Sequence, residues 1–220
     1  MPSVTRKAQS NRRQRRAEIE KQLLEATERL MSEGTAFTEL SVDRLATEAG
    51  ISRATFYVYF QDKGQLLRRL TEQVFAEFLD SARTWWDVVE RHDATDLRKA
   101  MSAIITTYRT HQALVTAVIE MAAYDPQVSE SYDRLLSSAI DSLERIIERG
   151  KADGAIRPQL PSRATAGGLT WAVERTVFQS AHVSGPEHDA QLADALTEIV
   201  WSTLYLETAA DSTDRLRSGG

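Results

Sequence analysis

Residues 41–60 read SVDRLATEAGISRATFYVYF, and this stretch decides the fold of the first third of the chain. Ser41 is a good helix N-cap, because its hydroxyl can accept a hydrogen bond from an otherwise unpaired backbone N–H, and Asp43 follows in the first turn. Gly50 can adopt the left-handed conformation that ends such a helix. Ser52 then caps a second helix. The stretch predicts two short helices separated by a tight turn.

The second helix, from Arg53 to Phe60, has two faces of different character. Phe56 and Phe60 lie four residues apart on one side, which predicts that both pack in the core. The remaining positions are predicted to be largely exposed: Arg53, Thr55, Tyr57 and Tyr59. A helix, a short turn and a second helix with small or basic N-terminal residues is typical of a helix-turn-helix, whose second helix enters the major groove of DNA.

The continuation GISRATFYVYFQDKGQLL, residues 50–67, resembles the signature of the TetR family of transcriptional regulators. The resemblance covers residues 18–70 and implies a three-helix DNA-binding domain at the N-terminus. It implies that Ser52 and Tyr57 contact phosphates and that Tyr59 contacts the DNA backbone. It also implies that Arg53 and Thr55 reach base edges or phosphates, and that Lys63 contacts a phosphate. The complete set of candidate DNA-binding residues is Ser41, Ser52, Arg53, Ala54, Thr55, Tyr57, Tyr59 and Lys63.

The charge distribution agrees with a nucleic-acid partner at the N-terminal end. Net charge is −5, but residues 1–70 hold 13 Lys+Arg against 9 Asp+Glu, and residues 71–220 hold 14 against 23. A basic first third on an acidic body predicts that a polyanion docks at the first third. The arginine-rich head before residue 17 has two interpretations, a solvated tail or an arm that follows phosphates or the minor groove.

Several classes of function are excluded by what the sequence lacks. The chain has no cysteine, and its four histidines show no spacing typical of metal ligands. No nucleophile elbow and no phosphate-binding glycine loop is present. We therefore expect no enzyme activity, no catalytic residue, no metal site and no cofactor. No apolar run approaches the roughly 20 residues that span a bilayer, so we expect a cytoplasmic protein with no membrane partner.

Helical periodicity dominates the rest of the chain and predicts an all-α fold of about nine helices. Apolar residues recur every three or four positions from Pro126 to Lys151 and again from Leu192 to Leu204, and no segment alternates as a strand would. We expect an N-terminal helix-turn-helix domain followed by a helical bundle for ligand binding and dimerisation. The predicted boundaries are a disordered basic tail (1–16), the DNA-binding domain (17–64), the bundle (65–210) and a disordered tail (211–220).

The bundle is rich in large aromatic residues, which fits either plain core packing or an apolar ligand pocket. The segment TWAVERTVF (residues 170–178) resembles the ethionamide-resistance repressor subgroup of the TetR family, which implies an elongated apolar cavity with Trp171 and Glu174 on its wall. An ion pair between Glu174 and Arg175 is the alternative for that carboxylate. The candidate ligand-binding residues are Trp85, Met101, Ile105, Tyr108, Met121, Trp171, Glu174 and Phe178.

Gly167 and Gly168 are expected to let two helices approach closely, and the last two long helices are the pair that forms the dimer in the family. The resulting prediction is a homodimeric repressor that binds palindromic double-stranded operator DNA and is released by a small hydrophobic effector. Two alternatives remain: an effector-free activator or architectural regulator of the same fold, and a small-molecule carrier with a vestigial DNA-binding domain.

Overall fold

A computed structural model describes residues 4–86, 93–180, 183 and 185–205, with side chains in residues 12–81, 93–180, 183 and 185–205. The predicted all-α class is confirmed: the described part of the chain forms nine α-helices, one short 3-10 helix and no strand. In chain order these are α1 (Val4–Ser32), η1 (Phe37–Glu39), α2 (Val42–Glu48), α3 (Arg53–Tyr59), α4 (Lys63–Trp86), α5 (Ala94–Thr110), α6 (Gln112–Ala122), α7 (Pro126–Ala152), α8 (Ser162–Gln179) and α9 (Pro186–Leu204).

The helices form two compact units, and the first combines the described residues up to 75 with residues 111–133. In this unit α1 packs against α2 and α6, α6 also packs against η1, and α2 packs against α3. The core consists of fully buried leucine and phenylalanine side chains, among them Leu23, Phe37, Leu45, Phe56, Phe60 and Leu66. Burial of each such side chain contributes roughly 1.5–3 kcal/mol, so the short helices α2 and α3 are held mainly by packing.

The second unit combines residues 76–110 with the described residues from 134 onward. Its most extensive packing is between α5 and α9, and α8 packs against both helices. Ala100 and Ala193 are fully buried on α5 and α9, and small side chains at such positions allow two helices to approach closely. Leu97, Leu196 and Val200 fill the same core.

The two units do not follow the single chain boundary at residue 64 that the sequence suggested. Residues 65–75 and 111–133 group with the helix-turn-helix, because the first turns of α4 and the whole of α6 pack in that unit. Helix α1 begins at Val4 rather than after residue 16, since the head contains lysine, arginine, glutamine and alanine, which favour helix. The tail predicted for residues 211–220 lies outside the described residues.

Candidate nucleic-acid interface and effector region

Two serine caps fix the starts of α2 and α3. The Ser41 hydroxyl accepts a hydrogen bond from the backbone N–H of Arg44 at 3.2 Å, and the Ser52 hydroxyl accepts one from the backbone N–H of Thr55 at 3.0 Å. Both serines have extended backbone, as N-cap residues do. The two helix starts predicted from the sequence are therefore confirmed, and Ser41 has a structural role at this site.

The turn between α2 and α3 depends on a single glycine. Gly50 has φ +69°, a left-handed conformation that strains residues with a side chain. Its backbone N–H donates to the carbonyl of Thr47 at 3.1 Å, and the N–H of Ile51 donates to the carbonyl of Ala46 at 2.9 Å. These bonds satisfy carbonyls at the end of α2 and hold α3 in a fixed orientation relative to it.

Helix α3 is buried on one face and exposed on the other. Phe56 and Phe60 are 0% and 1% exposed, and their ring centroids lie 5.6 Å apart. On the outer face Tyr57 is 46% and Val58 76% exposed, and Ala54 is also exposed. The inner face thus anchors the helix while the outer face is available to a partner.

Arg53, the first residue of α3, has defined neighbours in the described structure. Its Nη1 donates to Oδ2 of Asp43 at 2.6 Å, and its guanidinium carbon lies 5.6 Å from the centre of the Tyr57 ring. The side chains of Arg53 and Asp43 are 59% and 60% exposed. Sequence reasoning placed Arg53 on an exposed face but missed the link to Asp43, which is ten residues away.

Thr55 and Tyr59 are the two half-buried candidates on α3. The Thr55 hydroxyl lies 2.8 Å from the hydroxyl of Ser52, so the two side chains share one hydrogen bond at the start of the helix. A phosphate approaching this end of α3 meets two hydroxyls and the positive end of the helix dipole.

The ammonium of Lys63 is engaged inside the protein. Its Nζ donates to the backbone carbonyls of Phe37, Thr38 and Leu40 at 3.3, 2.6 and 3.0 Å, and it lies 5.6 Å from the Phe37 ring centre. Burial lowers the pKa of Lys63 below its ordinary value of 10.5. Three acceptors use the three donors of an ammonium group, so this lysine ties η1 to the start of α4. A phosphate contact would require Lys63 to exchange these partners, and that role stays a prediction.

A buried carboxylate links α1 to α4. Glu20 is 5% exposed, and its Oε1 accepts from Nε of Arg16 at 2.9 Å and from Nε of Arg69 at 3.0 Å. Burial acts to raise the pKa of Glu20, but the hydrogen bonds and charges of the two arginines outweigh it and lower the pKa overall. The sequence offered no signal for this pair, because 49 residues separate Glu20 from Arg69.

The candidate ligand-binding residues of the second unit differ in burial. Met101, Ile105 and Tyr108 lie buried on α5, whereas Trp171 on α8 is 49% exposed. The hydroxyl of Tyr108 is buried and has no hydrogen-bond partner among the described residues. Burial raises the pKa of Tyr108, Arg109 opposes this effect, and the negative charge of Glu174 adds to it. Tyr108 and Glu174 are therefore close enough to interact electrostatically.

The remaining ligand candidates lie on α8, in the first unit or outside the described side chains. Glu174 and Phe178 are half-buried on α8, and the guanidinium carbon of Arg175 lies 5.5 Å from the Phe178 ring centre. Met121 belongs to the first unit, and the side chain of Trp85 lies outside the described residues. Gly167 and Gly168 have open space where a side chain would be, so the close helix approach expected there does not occur within the described chain.

Among the described residues, no cluster of three or more histidine, aspartate or glutamate side chains has a geometry suited to a metal ion. None of the helices in this part of the chain has the length and hydropathy needed to cross a membrane.

Two capped helices, a glycine turn and an exposed second helix define this chain as a helix-turn-helix protein of the DNA-binding class. Residues 23–70 match the model of the bacterial regulatory proteins of the tetR family, and residues 97–206 match that of the C-terminal domain of the transcriptional regulator EthR. The chain belongs to the TetR family of transcriptional regulators and is of the EthR type. The family resemblance drawn from the sequence is confirmed, as is the expectation that the protein is not an enzyme.

Relatives with known names support the same assignment over most of the chain. The HTH-type transcriptional regulator EthR of Mycobacterium tuberculosis is 28% identical over 184 residues, which cover 83% of this chain and 85% of that protein. A TetR-family regulator from Rhodococcus sp. superimposes with a TM-score of 0.70 at 18% identity, covering 86% and 99% of the two chains. FadR from Bacillus subtilis in complex with stearoyl-CoA has a TM-score of 0.68 at 17% identity, covering 84% and 98%.

Proposed function

We propose that this regulator is a ligand-responsive repressor that binds a palindromic operator through α3. The observation that carries the DNA part is the asymmetry of this helix. Phe56 and Phe60 are buried beneath it, while Arg53 and Tyr57 are exposed on its outer face. A helix supported in this way can enter the major groove without unfolding, with its N-terminal residues nearest the bases.

The exposed side chains at the start of α3 divide into two proposed roles. Arg53 is the base-reading residue, because a guanidinium can donate two hydrogen bonds to guanine. Ser52, Thr55 and Tyr57 contact phosphates, supported by the hydroxyls of the first two at the helix N-terminus. Lys63 positions η1 against the start of α4 through its three carbonyl partners, and it contacts a phosphate only by exchanging one of them.

We propose that the protein acts as a homodimer through α8 and α9. Trp171 on α8 and Ile199 on α9 are each 49% exposed, so both large apolar side chains are available to a partner helix. Gly167 and Gly168 leave open space on α8 into which a second helix fits. The exposure of Trp171 therefore favours a place in the dimer interface over one on the pocket wall.

The proposed effector is a small, mainly apolar molecule that offers one polar group to Tyr108. A buried hydroxyl without a partner costs free energy, and a ligand that supplies the hydrogen bond removes this cost. Met101 and Ile105 lie buried on the same helix and suit an apolar ligand. The stearoyl-CoA bound by the B. subtilis FadR supports an effector with a long hydrocarbon chain. Since operator DNA is cytoplasmic in bacteria, we place the protein there.

Selection of binding sites from random double-stranded DNA tests the DNA-binding part of the proposal. The wild-type protein is expected to select a palindrome whose half-sites are separated by about one helical turn or a multiple of it, roughly 34–36 Å or more. Failure to enrich any sequence would contradict operator binding and favour a carrier protein.

Sedimentation equilibrium tests the dimer with a pair of matched variants. Trp171→Ala is expected to weaken self-association, whereas Tyr124→Ala is expected to leave it unchanged, because Tyr124 is 85% exposed and belongs to the other unit. Equal association of the two variants would exclude Trp171 from the interface.

Titration of the protein–operator complex with fatty acids and acyl-CoA thioesters of graded length tests the effector. One of these probes is expected to release the operator, with an affinity that falls about tenfold in Tyr108→Phe, because a buried hydrogen bond is lost. The exposed Tyr124→Phe serves as the control. A lack of response to every probe would favour the effector-free regulator.

A further inference from the structure

Asp43 and Arg53 form a contact that the proposed DNA-binding role of α3 does not by itself explain. Asp43 lies in the first turn of α2, and its carboxylate meets Nη1 of Arg53 at 2.6 Å across the helix-turn-helix. The guanidinium is bounded on another side by the Tyr57 ring, 5.6 Å from its carbon. An otherwise flexible side chain is thus held at two points on the exposed face.

The pair is poorly suited to a role in stability. Both side chains are more than half exposed, and exposed ion pairs contribute little because solvent screens the attraction and ordering two side chains costs entropy. The starts of α2 and α3 do not depend on the Arg53–Asp43 pair, since Ser41 and Ser52 cap these helices. What the contact does restrict is the direction in which the guanidinium points.

The contact also leaves the guanidinium able to read a base. Asp43 engages Nη1, and no hydrogen bond from the described residues engages the edge formed by Nε and Nη2. Arginine has five N–H donors in a rigid planar group, so the second edge can donate two parallel bonds to guanine while the first remains on the carboxylate. Holding the plane before DNA arrives reduces the entropy lost on binding.

We propose that Asp43 is a specificity-determining positioning residue: it orients the Arg53 guanidinium for a base and contacts no base itself. This inference rests on the proposed function of α3 as the DNA-reading helix. It assigns part of the sequence preference to a residue of α2, and it requires the two residues to act as one unit.

Site selection from random DNA with single and double variants tests the proposal. Arg53→Ala is expected to lose preference at one base pair of each half-site. Asp43→Ala is expected to reduce the discrimination at that same base pair by about three- to tenfold, since a loosely held arginine loses part of what a good bidentate contact gives. Asp43→Asn, which keeps an oxygen acceptor, is expected to fall between Asp43→Ala and the wild type.

The double variant provides the coupling measurement. In the Arg53→Ala background, Asp43→Ala is expected to cause no further change in preference, because residues that act as a unit are not additive. Glu48→Ala is the matched control: it removes a carboxylate from the same helix, but Glu48 pairs with Arg29 and not with Arg53. It is expected to change overall affinity and salt dependence without changing the preferred sequence.

Three results would overturn the proposal, and the first two leave the proposed function intact. Unchanged preference in Asp43→Ala would show that Arg53 needs no orientation. Tighter operator binding with unchanged preference would make Asp43 a competitor that withholds Arg53 from DNA. If the wild type is sequence-selective and Arg53→Ala keeps the same preference, Arg53 makes no base-specific contact. A wild type that selects no sequence at all would contradict the proposed function instead.

Discussion

Two arginine–aspartate pairs, one in each unit, use the same chemistry in different surroundings. Arg53 and Asp43 are 59% and 60% exposed and share a single hydrogen bond. Arg109 and Asp189 are 17% and 28% exposed, and Arg109 also donates to two backbone carbonyls in the connection between α8 and α9. The exposed pair is accessible to a binding partner, while the half-buried pair is part of the packing of the second unit.

This difference separates an exposed surface of the first unit from internal packing of the second unit. Arg109 lies in the last turn of α5 and Asp189 in the first turn of α9, so their contact closes the end of the second unit. Arg53 lies on the outer face of α3, where a nucleic acid can replace water around it. Substitutions in the two regions should therefore affect different measurements.

The largest effect is expected on the inner face of α3. Phe56→Ala removes a fully buried ring and should lower the free energy of unfolding by about 3–5 kcal/mol. Val58→Ala, on the 76% exposed outer face of the same helix, should change it by less than about 0.5 kcal/mol. Urea unfolding of both variants makes the comparison. Similar losses would mean that the two faces of α3 are not distinct in solution.

The next effect concerns Arg109 and Asp189, the half-buried pair of the second unit. Arg109→Ala should lower the free energy of unfolding by about 1.5–3 kcal/mol, because charge-assisted bonds are lost and carbonyls of the α8–α9 connection lose their donor. Hydrogen exchange is expected to increase first at the start of α9. If Arg109→Ala lowered only the affinity for DNA and left stability unchanged, the proposed role of Arg109 in packing would be contradicted.

A smaller effect, dependent on pH, is expected at Glu20. The folded-state pKa of its carboxyl lies below the ordinary value of 4.5, so its stabilising contribution is present above that value and is lost as the pH falls through the folded pKa. Glu20→Gln should therefore reduce stability near neutral pH and lessen the further loss on acidification. Parallel acid unfolding curves for the variant and the wild type would show that Arg16 and Arg69 do not lower this pKa.

A small effect on stability is expected for Asp43→Ala, although this substitution should change the DNA sequence that the protein prefers. Asp43→Ala removes one exposed ion pair and one carboxylate from the first turn of α2, which together should cost no more than about 1 kcal/mol. Thermal unfolding of the purified variant checks this value. A loss as large as that of Arg109→Ala would mean that Asp43 also stabilises the folded state, and that the two pairs do not differ in this respect.

The sequence by itself determined the features of this protein that depend on near neighbours. The Ser41 and Ser52 caps, the left-handed Gly50 and the buried Phe56 and Phe60 were all predictable. Each results from hydrogen bonds that close within a few residues or from the 3.6-residue period of a helix. For the same reason, the family assignment and the all-α class followed from the pattern of residues.

Only the tertiary structure decided which distant groups meet. Lys63 reaches carbonyls 23 to 26 residues earlier, Arg109 reaches a carboxylate 80 residues later, and Trp171 is 49% exposed. A charged or aromatic side chain is compatible with several partners in sequence. Which partner it takes depends on the packing that desolvates it, and that packing is a property of the assembled helices.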